Sequence, residues 1–234
     1  MGTLVVKQWL AGRDFGHGDP VARQMQNFVY LIGDADTGEA VLVDPAWAVD
    51  ELVGKVQAMG MRLVGALATH YHPDHVGGTM FGFTVEGLPR LMAAAPCPVH
   101  CHKAEAHGIR TVTGLSASDL VLHESGDIIR VGEVAIELLH TPGHTPGSCC
   151  FRLQNALVAG DTLFLQGCGR VDLPGGDREE MARTLTQRLA TLPDDTVLYP
   201  GHAYGGEHAP MGDVRRFNPY LRAAGPEALR RLLG

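Results

Sequence analysis

The sequence predicts a layered α/β sandwich with a functional site at one edge, and two observations carry this prediction. Short apolar runs of strand length alternate with helical patterns along the chain, as in sandwiches that bury both element types. A cluster of histidine and aspartate follows one of these runs, and single histidines or aspartates follow three later runs. Strand ends that share an edge bring such side chains together, so we expect one site there.

Length and composition favour a single domain over residues 1–234 that binds a small molecule. The chain has 234 residues, of which 45% are hydrophobic, and this is ample for one large core. A net charge of −7 without a run of lysine or arginine disfavours binding to nucleic acid. No apolar run approaches about 18 residues, so we expect no membrane span. The sequence does not determine the oligomeric state.

Cysteine usage indicates a reducing compartment. The five cysteines are odd in number and unevenly spaced, and the first residues lack a long apolar segment of the kind that directs secretion. We therefore expect a cytoplasmic protein with reduced thiols.

The first part of the chain predicts three strands followed by a helix. An edge strand over Leu4–Val6 is followed by strands over 28–32 and 40–45, which are joined by a turn at 34–38. A helix over Val49–Met59 then places Leu52, Val53 and Val56 on one face. This order begins an α/β layer.

The next strand, over 63–68, runs directly into the segment Thr69-His70-Tyr71-His72-Pro73-Asp74-His75. His70 and His72 are two residues apart, so they project to the same side and can bind one metal ion. Asp74 and His75 then lie on the far side of the turn, where they suit a second ion. Nitrogen and oxygen ligands at two adjacent positions fit zinc, manganese or iron, and such a pair supports hydrolysis.

An aromatic segment follows the metal motif. Phe81 and Phe83 are candidates for a wall of the substrate pocket, and ordinary core packing is an equally good interpretation. Thr84 is a candidate N-cap for a helix through Ala94, although Pro89 would kink this helix or confine it to the later residues.

The segment Cys97–His102 contains metal-binding residue types, but the sequence favours a buried strand. A structural zinc site pairs two close-spaced couples of ligands, and no second couple lies nearby. A hairpin over 127–139 follows and ends at the loop 141–148. Two prolines and two glycines stiffen this loop around His144, which makes His144 the candidate third ligand of the first metal.

Two further strand ends supply the remaining candidates. Strands over 149–153 and 156–159 lead to Asp161, whose carboxylate can bridge two cations. The alternative role for Asp161, as an N-cap, is weaker because the following residues 163–165 are typical of an extended segment. A capped helix over 178–190 and a last strand over 196–200 then lead to His202.

These motifs resemble those of the metallo-β-lactamase-fold hydrolases, from Asn27 to about Leu221. The matching segments are 69–78, 141–148, 160–164 and 200–202. The resemblance implies an αββα four-layer sandwich with two divalent metal ions per chain, zinc being favoured and iron or manganese being alternatives. By resemblance, the first ion binds His70, His72 and His144, the second binds Asp74, His75 and His202, and Asp161 bridges them.

Within that fold the chain looks most like the glyoxalase II (hydroxyacylglutathione hydrolase) group. Gly167-Cys168-Gly169-Arg170 and His202-Ala203-Tyr204 are similar to motifs whose Arg170 and Tyr204 positions contact the substrate in that group. The resemblance implies hydrolysis of a thioester such as an S-acylglutathione by metal-bound hydroxide, with Asp74 orienting the hydroxide. The chain departs from the group by having only a short C-terminal helical tail in place of a full glutathione-binding helical domain.

The nearest alternative is the persulfide dioxygenase group, which has one iron on positions like His70, His144 and Asp161. That group shares the Gly-Cys-Gly-Arg motif, Asp172 and the late segment 215–219. The segment 26–31 resembles the hydrolases more closely, and this favours a hydrolase. A lactonase or another ester hydrolase is a further alternative, whereas an inactive binding scaffold is disfavoured because all seven ligands are present.

Overall fold

The computed structural model describes residues 2–223 and 226–234, and two six-stranded sheets form its centre. In chain order the strands are β1 Leu4–Leu10, β2 Phe28–Asp34, β3 Glu39–Val43, β4 Arg62–Leu67, β5 Gly78–Met80, β6 Phe83–Val85, β7 Val99–His102, β8 Leu120–His123, β9 Ile128–Val131, β10 Val134–His140, β11 Cys149–Arg152, β12 Ala156–Gly160, β13 Val197–Pro200 and β14 Ala209–Pro210. The first sheet has the order β1-β2-β3-β4-β7-β8, and the second has the order β14-β13-β12-β11-β10-β9. Strands β5 and β6 form a separate hairpin.

Helices cover the outer face of each sheet. They are α1 Pro20–Met25, α2 Val49–Ala58, α3 Pro73–Val76, α4 Leu88–Ala94, α5 Ala106–Thr113, α6 Arg178–Arg183, α7 Met211–Phe217 and α8 Pro226–Leu233. Leu52 of α2 and Leu91 of α4 belong to the apolar cluster on the first sheet. Met181 of α6 and Val214 of α7 belong to the cluster on the second sheet. The layers therefore follow the order helix, sheet, sheet, helix, which confirms the predicted αββα sandwich.

Strand β2 shows why the sequence specifies this arrangement. Successive side chains of a strand point to opposite faces. Phe28, Tyr30 and Ile32 accordingly enter the apolar cluster between the two sheets. Val29 and Leu31 instead join the cluster beneath the helices. A strand buried on both faces must be apolar throughout, as this one is.

Three predicted elements differ from the structure. The helix predicted from Thr84 is wrong, because residues 83–85 form β6 and α4 begins only at Leu88. Pro89 explains this start, since proline is tolerated in the first turn of a helix, where its missing N–H is not needed. The predicted helix over 178–190 is present, but it changes from α to π geometry over Thr184–Leu189. Residues 163–165 form only an isolated bridge between Leu163 and Cys168 instead of a strand.

One rim of the sandwich gathers the ends of β4, β10, β12 and β13. Two hydrogen bonds link the sheets at this rim, each from the first residue of a strand to a loop of the other sheet: the Cys149 amide donates to the Thr69 carbonyl at 2.9 Å, and the Phe28 amide donates to the Gly201 carbonyl at 2.8 Å. In the part of the chain that the structure describes, no helix has the length and apolar character needed to span a bilayer.

Candidate metal centre

The structure brings all seven predicted metal ligands to this rim. The segment that follows β4, which includes α3, supplies four of them, and the loops after β10, β12 and β13 supply one each. Strands β10, β12 and β13 end at the same side because β11 is antiparallel to both β10 and β12, and β13 is parallel to β12. The seven residues are His70, His72, Asp74, His75, His144, Asp161 and His202.

The first group of ligands consists of three imidazoles. One ring nitrogen each of His70, His72 and His144 lies within 4.8 Å of the others. Nδ1 of His72 and Nε2 of His144 face each other at 2.9 Å, and the buried Nε2 of His70 has no hydrogen-bond partner. A buried polar atom without a partner is unfavourable unless something binds it. A cation among these nitrogens would satisfy all three.

Hydrogen bonds on the other ring nitrogen fix the orientation of two of these ligands, His70 and His144. Nδ1 of His144 donates to the Arg170 carbonyl at 2.7 Å, which leaves Nε2 free as a ligand. Nδ1 of His70 lies 3.0 Å from the Thr69 hydroxyl, which itself donates to Asp44 at 2.6 Å. Such partners of ligating histidines fix the tautomer and strengthen binding.

The second group contains one carboxylate and two imidazoles. Asp74, His75 and His202 also place their ligand atoms within 4.8 Å of one another. Nε2 of His75 and Nε2 of His202 are 3.2 Å apart, and each lies 3.4 Å from Oδ2 of Asp74. All three side chains are buried. This geometry offers a second cation two nitrogens and one oxygen.

Each ligand of the second group has its own hydrogen-bond partner. Nδ1 of His75 lies 3.0 Å from Asp44, and Nδ1 of His202 donates to the Met25 carbonyl at 2.7 Å. The Asn27 side-chain amide donates to Asp74 at 3.0 Å and accepts a hydrogen bond from Trp47 at 3.1 Å. A third set of ligand atoms, on Asp44, His70 and His75, is also close enough to hold an ion. Asp44, however, already accepts a hydrogen bond from the Thr69 amide, so we interpret it as a residue that orients the neighbouring ligands.

Asp161 lies between the two groups. Its Oδ2 is 3.7 Å from Nε2 of His144 and 3.3 Å from Nε2 of His202. Its Oδ1 is 3.4 Å from Nε2 of His75 and is buried without a hydrogen-bond partner. One carboxylate therefore reaches both groups, which is the geometry of a bridging ligand.

The electrostatics of the two groups differ. Burial lowers the pKa of His72 to about 4, so this imidazole is neutral and suited to bind a metal ion. Burial also lowers the pKa of His202, but the facing carboxylates of Asp161 and Asp74 outweigh it and raise the pKa to about 10. The carboxylates of the second group therefore favour a positive charge beside them, which a bound cation would supply. The imidazole nitrogens of both groups, together with the carboxylate oxygens of Asp74 and Asp161, fit divalent zinc, iron or manganese.

Glu105 is a buried residue at this rim that sequence reasoning missed. Its side chain is 0% exposed and accepts hydrogen bonds from the Tyr71 amide at 2.7 Å, the Thr145 hydroxyl at 2.8 Å and the Gly147 amide at 2.6 Å. Tyr71 lies between His70 and His72, and Thr145 follows His144. Glu105 therefore ties together the two loops of the first group. No local pattern marks it, because Lys103-Ala104-Glu105 is typical of an exposed turn.

A cavity of about 730 Å³ opens above the centre. His72, Asp74, His144, Asp161 and His202 form its floor. Its wall includes the predicted substrate contacts Phe81, Arg170 and Tyr204. The Tyr204 ring stacks on His202 with centroids 4.7 Å apart. The floor and wall together form a site in which a small molecule can reach the ligands.

Three features that the sequence analysis singled out lie outside the cavity or are already paired with another residue. Phe83 is on the same hairpin as Phe81 but is not among the residues that line the cavity. Arg170 forms a two-point ion pair with Asp172, with Nε–Oδ1 and Nη2–Oδ2 distances of 2.9 and 2.7 Å. The segment 97–102 contains the strand β7, and its His100 pairs with His123 at 2.9 Å.

Comparison with known proteins gives one family. The model of the metallo-beta-lactamase superfamily matches residues 22–202. The human mitochondrial persulfide dioxygenase ETHE1 is 34% identical over 88% of this chain and 78% of its own length. A hydroxyacylglutathione hydrolase of Polaromonas sp. is 33% identical over 88% of this chain and 85% of its own. The crystal structure of ETHE1 from Myxococcus xanthus is similar at a TM-score of 0.79, with 29% identity, and covers 98% of this chain and 89% of that one.

Proposed function

We propose, because this chain belongs to the metallo-beta-lactamase superfamily, that it is an enzyme that hydrolyses a small thioester at a centre of two divalent metal ions. An S-acylglutathione represents the substrate class. Zinc is the favoured metal because the donors combine imidazole nitrogens with carboxylate oxygens in a buried site.

One observation carries this proposal: two complete groups of three ligands are joined by a single carboxylate. The first group, His70, His72 and His144, would hold one ion. The second group, Asp74, His75 and His202, would hold the other. Asp161 approaches both groups and has one buried oxygen without a partner. A bridging aspartate between two sites is typical of centres that hydrolyse carbonyl or phosphoryl substrates.

The protein contributes positioning and orientation to this reaction. When bound, two divalent ions supply positive charge that lowers the pKa of water and stabilises charge on a carbonyl oxygen. Asp74 lies on the cavity floor, where its carboxylate can accept a hydrogen bond from the attacking water and orient it toward the acyl carbon. Asn27 holds Asp74 through its amide, so the orientation of Asp74 is fixed before a substrate binds.

We assign Arg170 and Tyr204 to the thiol half of the substrate. Arg170 lies on the cavity wall with an exposed side chain, so its guanidinium can turn from Asp172 to a substrate carboxylate. Tyr204 lies on the same wall, and its hydroxyl donates a long hydrogen bond of 3.4 Å to the Met25 carbonyl. We also propose that the protein acts in the cytoplasm and as one domain, as expected from its sequence.

Metal analysis coupled to two assays tests the proposal. We expect close to two zinc or iron ions per chain and turnover of S-lactoylglutathione, followed as loss of thioester absorbance. One iron per chain, with oxygen uptake in the presence of glutathione persulfide and no thioester loss, would contradict it.

That contrary result defines the second candidate, a persulfide dioxygenase with a single iron. Two observations favour it: the human relative at 34% identity, and the unpartnered atoms Nε2 of His70 and Oδ1 of Asp161. Together with His144 these residues give two histidines and one carboxylate, which is the ligand set of many non-haem iron oxygenases. We favour the hydrolase because the second group is also buried and complete.

A further inference from the structure

The hairpin of β5 and β6 carries an aromatic residue in an unfavourable position. Met80 pairs with Phe83, so Phe81 and Gly82 form a two-residue turn. Both have positive φ, +50° for Phe81 and +81° for Gly82, as in a type I′ turn. The first position of that turn favours asparagine, aspartate or glycine, and a phenylalanine there is strained. Phe81 is also 86% exposed, which is unfavourable for an aromatic ring in water.

The base of the hairpin fixes Phe81 relative to the metal ligands. Gly77 directly follows α3, which carries Asp74 and His75. A Cβ atom on Gly77 would lie 2.7 Å from the Cα atom of Gly87, so these two glycines let the segments that enter and leave the hairpin approach closely. The hairpin therefore projects from the edge of the metal centre. Its tip reaches the cavity wall.

Apolar side chains make up much of the cavity lining, among them Met80 and Phe81 of the hairpin, Pro73, Phe164 and Leu173. Among the described residues that line the cavity, Arg170 is the only cationic side chain besides the histidine ligands. It already forms an ion pair with Asp172. Strain and exposure at Phe81 are explained if a ligand covers the ring, because covering it removes apolar surface from water.

We propose that Phe81 determines specificity by binding an apolar acyl group of the substrate. This inference rests on the proposed function, in which Arg170 takes the thiol half and leaves the hairpin side to the acyl half. A substrate with a medium-length alkyl or aromatic acyl group would cover Phe81 and Met80. A short, hydroxylated acyl group such as lactoyl would not.

A series of S-acylglutathiones tests this inference, with acetyl, lactoyl, hexanoyl and benzoyl groups. We expect kcat/KM of the wild type to rise about tenfold or more from acetyl to hexanoyl, since covering about two of the four added methylenes is enough for a factor of this size. Phe81→Asn should reduce the hexanoyl-to-acetyl ratio of kcat/KM about tenfold. Asparagine fits the turn, so the melting temperature of this variant should equal or exceed that of the wild type.

Phe83→Ala is the matched control, since Phe83 is on the same hairpin, is 52% exposed and does not line the cavity. We expect it to keep the wild-type ratio. A wild-type profile that is flat across the acyl series, or equal losses in both variants, would overturn the inference while leaving thioester hydrolysis intact. If no thioester is turned over, the proposed function fails and the inference fails with it.

Discussion

The two ligand groups are held in different ways. The three imidazoles of the first group belong to two loops, and Glu105 joins these loops through their backbone and Thr145. In the second group, Asn27 binds Asp74 directly, and Asp44 binds His75 directly. The first site therefore depends on how two loops meet, whereas the second depends on individual side-chain hydrogen bonds. A substitution at Glu105 should therefore act on the first group through its two loops, whereas a substitution at Asn27 acts directly on ligand side chains of the second group.

The largest effect is expected at the residue with two roles, Asp74. Replacing it in Asp74→Asn keeps the size of the side chain but removes the charge that binds a cation and orients water. We expect kcat for thioester hydrolysis to fall about a hundredfold or more, the scale for loss of one electrostatic stabiliser. Metal content must be measured on the same sample. Full turnover with two ions still bound would exclude this role.

Glu105→Gln is expected to weaken the first site selectively. The amide nitrogen of glutamine would face one of the N–H donors that now bind the carboxylate, so the two loops should separate. We expect zinc affinity at one of the two sites to fall about 10- to 100-fold, the range for residues that orient metal ligands. Zinc titration against a competing chelator measures both sites.

Two further variants make this comparison sharper. Thr145→Val removes only one of the three donors to Glu105 and should produce a smaller loss at the same site. Asn27→Ala should weaken the other site, because it frees Asp74.

Equal weakening of both sites by Glu105→Gln would show that the two groups are one unit. A fall only in the melting temperature of the metal-free protein would show that Glu105 serves the fold alone.

Arg170→Ala is expected to change substrate binding and leave both metal sites filled. A hydrogen bond from a guanidinium to a substrate carboxylate favours binding, and the exposure of Arg170 and its pair with Asp172 keep the effect modest. We expect KM for an anionic thioester to rise about tenfold, with little change for a small neutral ester. Equal losses on both substrates would indicate a structural role for Arg170.

The smallest expected effect is a pH dependence of the metal-free protein. Burial raises the pKa of Glu105 from about 4.5 to about 7, although its hydrogen bonds with Thr145, Gly147 and Tyr71 oppose the shift. The folded state therefore keeps a proton that the unfolded state loses, and this contribution to stability is full below about pH 4.5 and lost as the pH rises through about 7. The wild type should thus lose melting temperature relative to Glu105→Gln between pH 5 and 8. Parallel profiles of the two proteins would contradict the assignment.

Local patterns in the sequence were enough to predict most of the strands and to single out the seven candidate ligands, because each pattern involves residues that are close together in the chain. The apolar alternation of β2 specifies two buried faces, and His70 and His72 are two residues apart in one loop. These patterns predict a layered sandwich, and the αββα order is what the resemblance to a known family implies; the comparisons agree with it. The start of α4 was missed because the strand preference of residues 83–85 prevailed over the capping pattern at Thr84.

How the site is supported and which side chains reach it depend on contacts between residues that are far apart in the sequence. Glu105 lies 34 residues from Tyr71 and 40 from Thr145, and the packing of these loops against each other cannot be inferred from any local pattern. The hairpin turn likewise sends Phe81 to the cavity and Phe83 away from it, although the two residues are nearly adjacent. Local spacing sets which face a residue occupies, whereas contacts between distant loops depend on the packing of the whole chain.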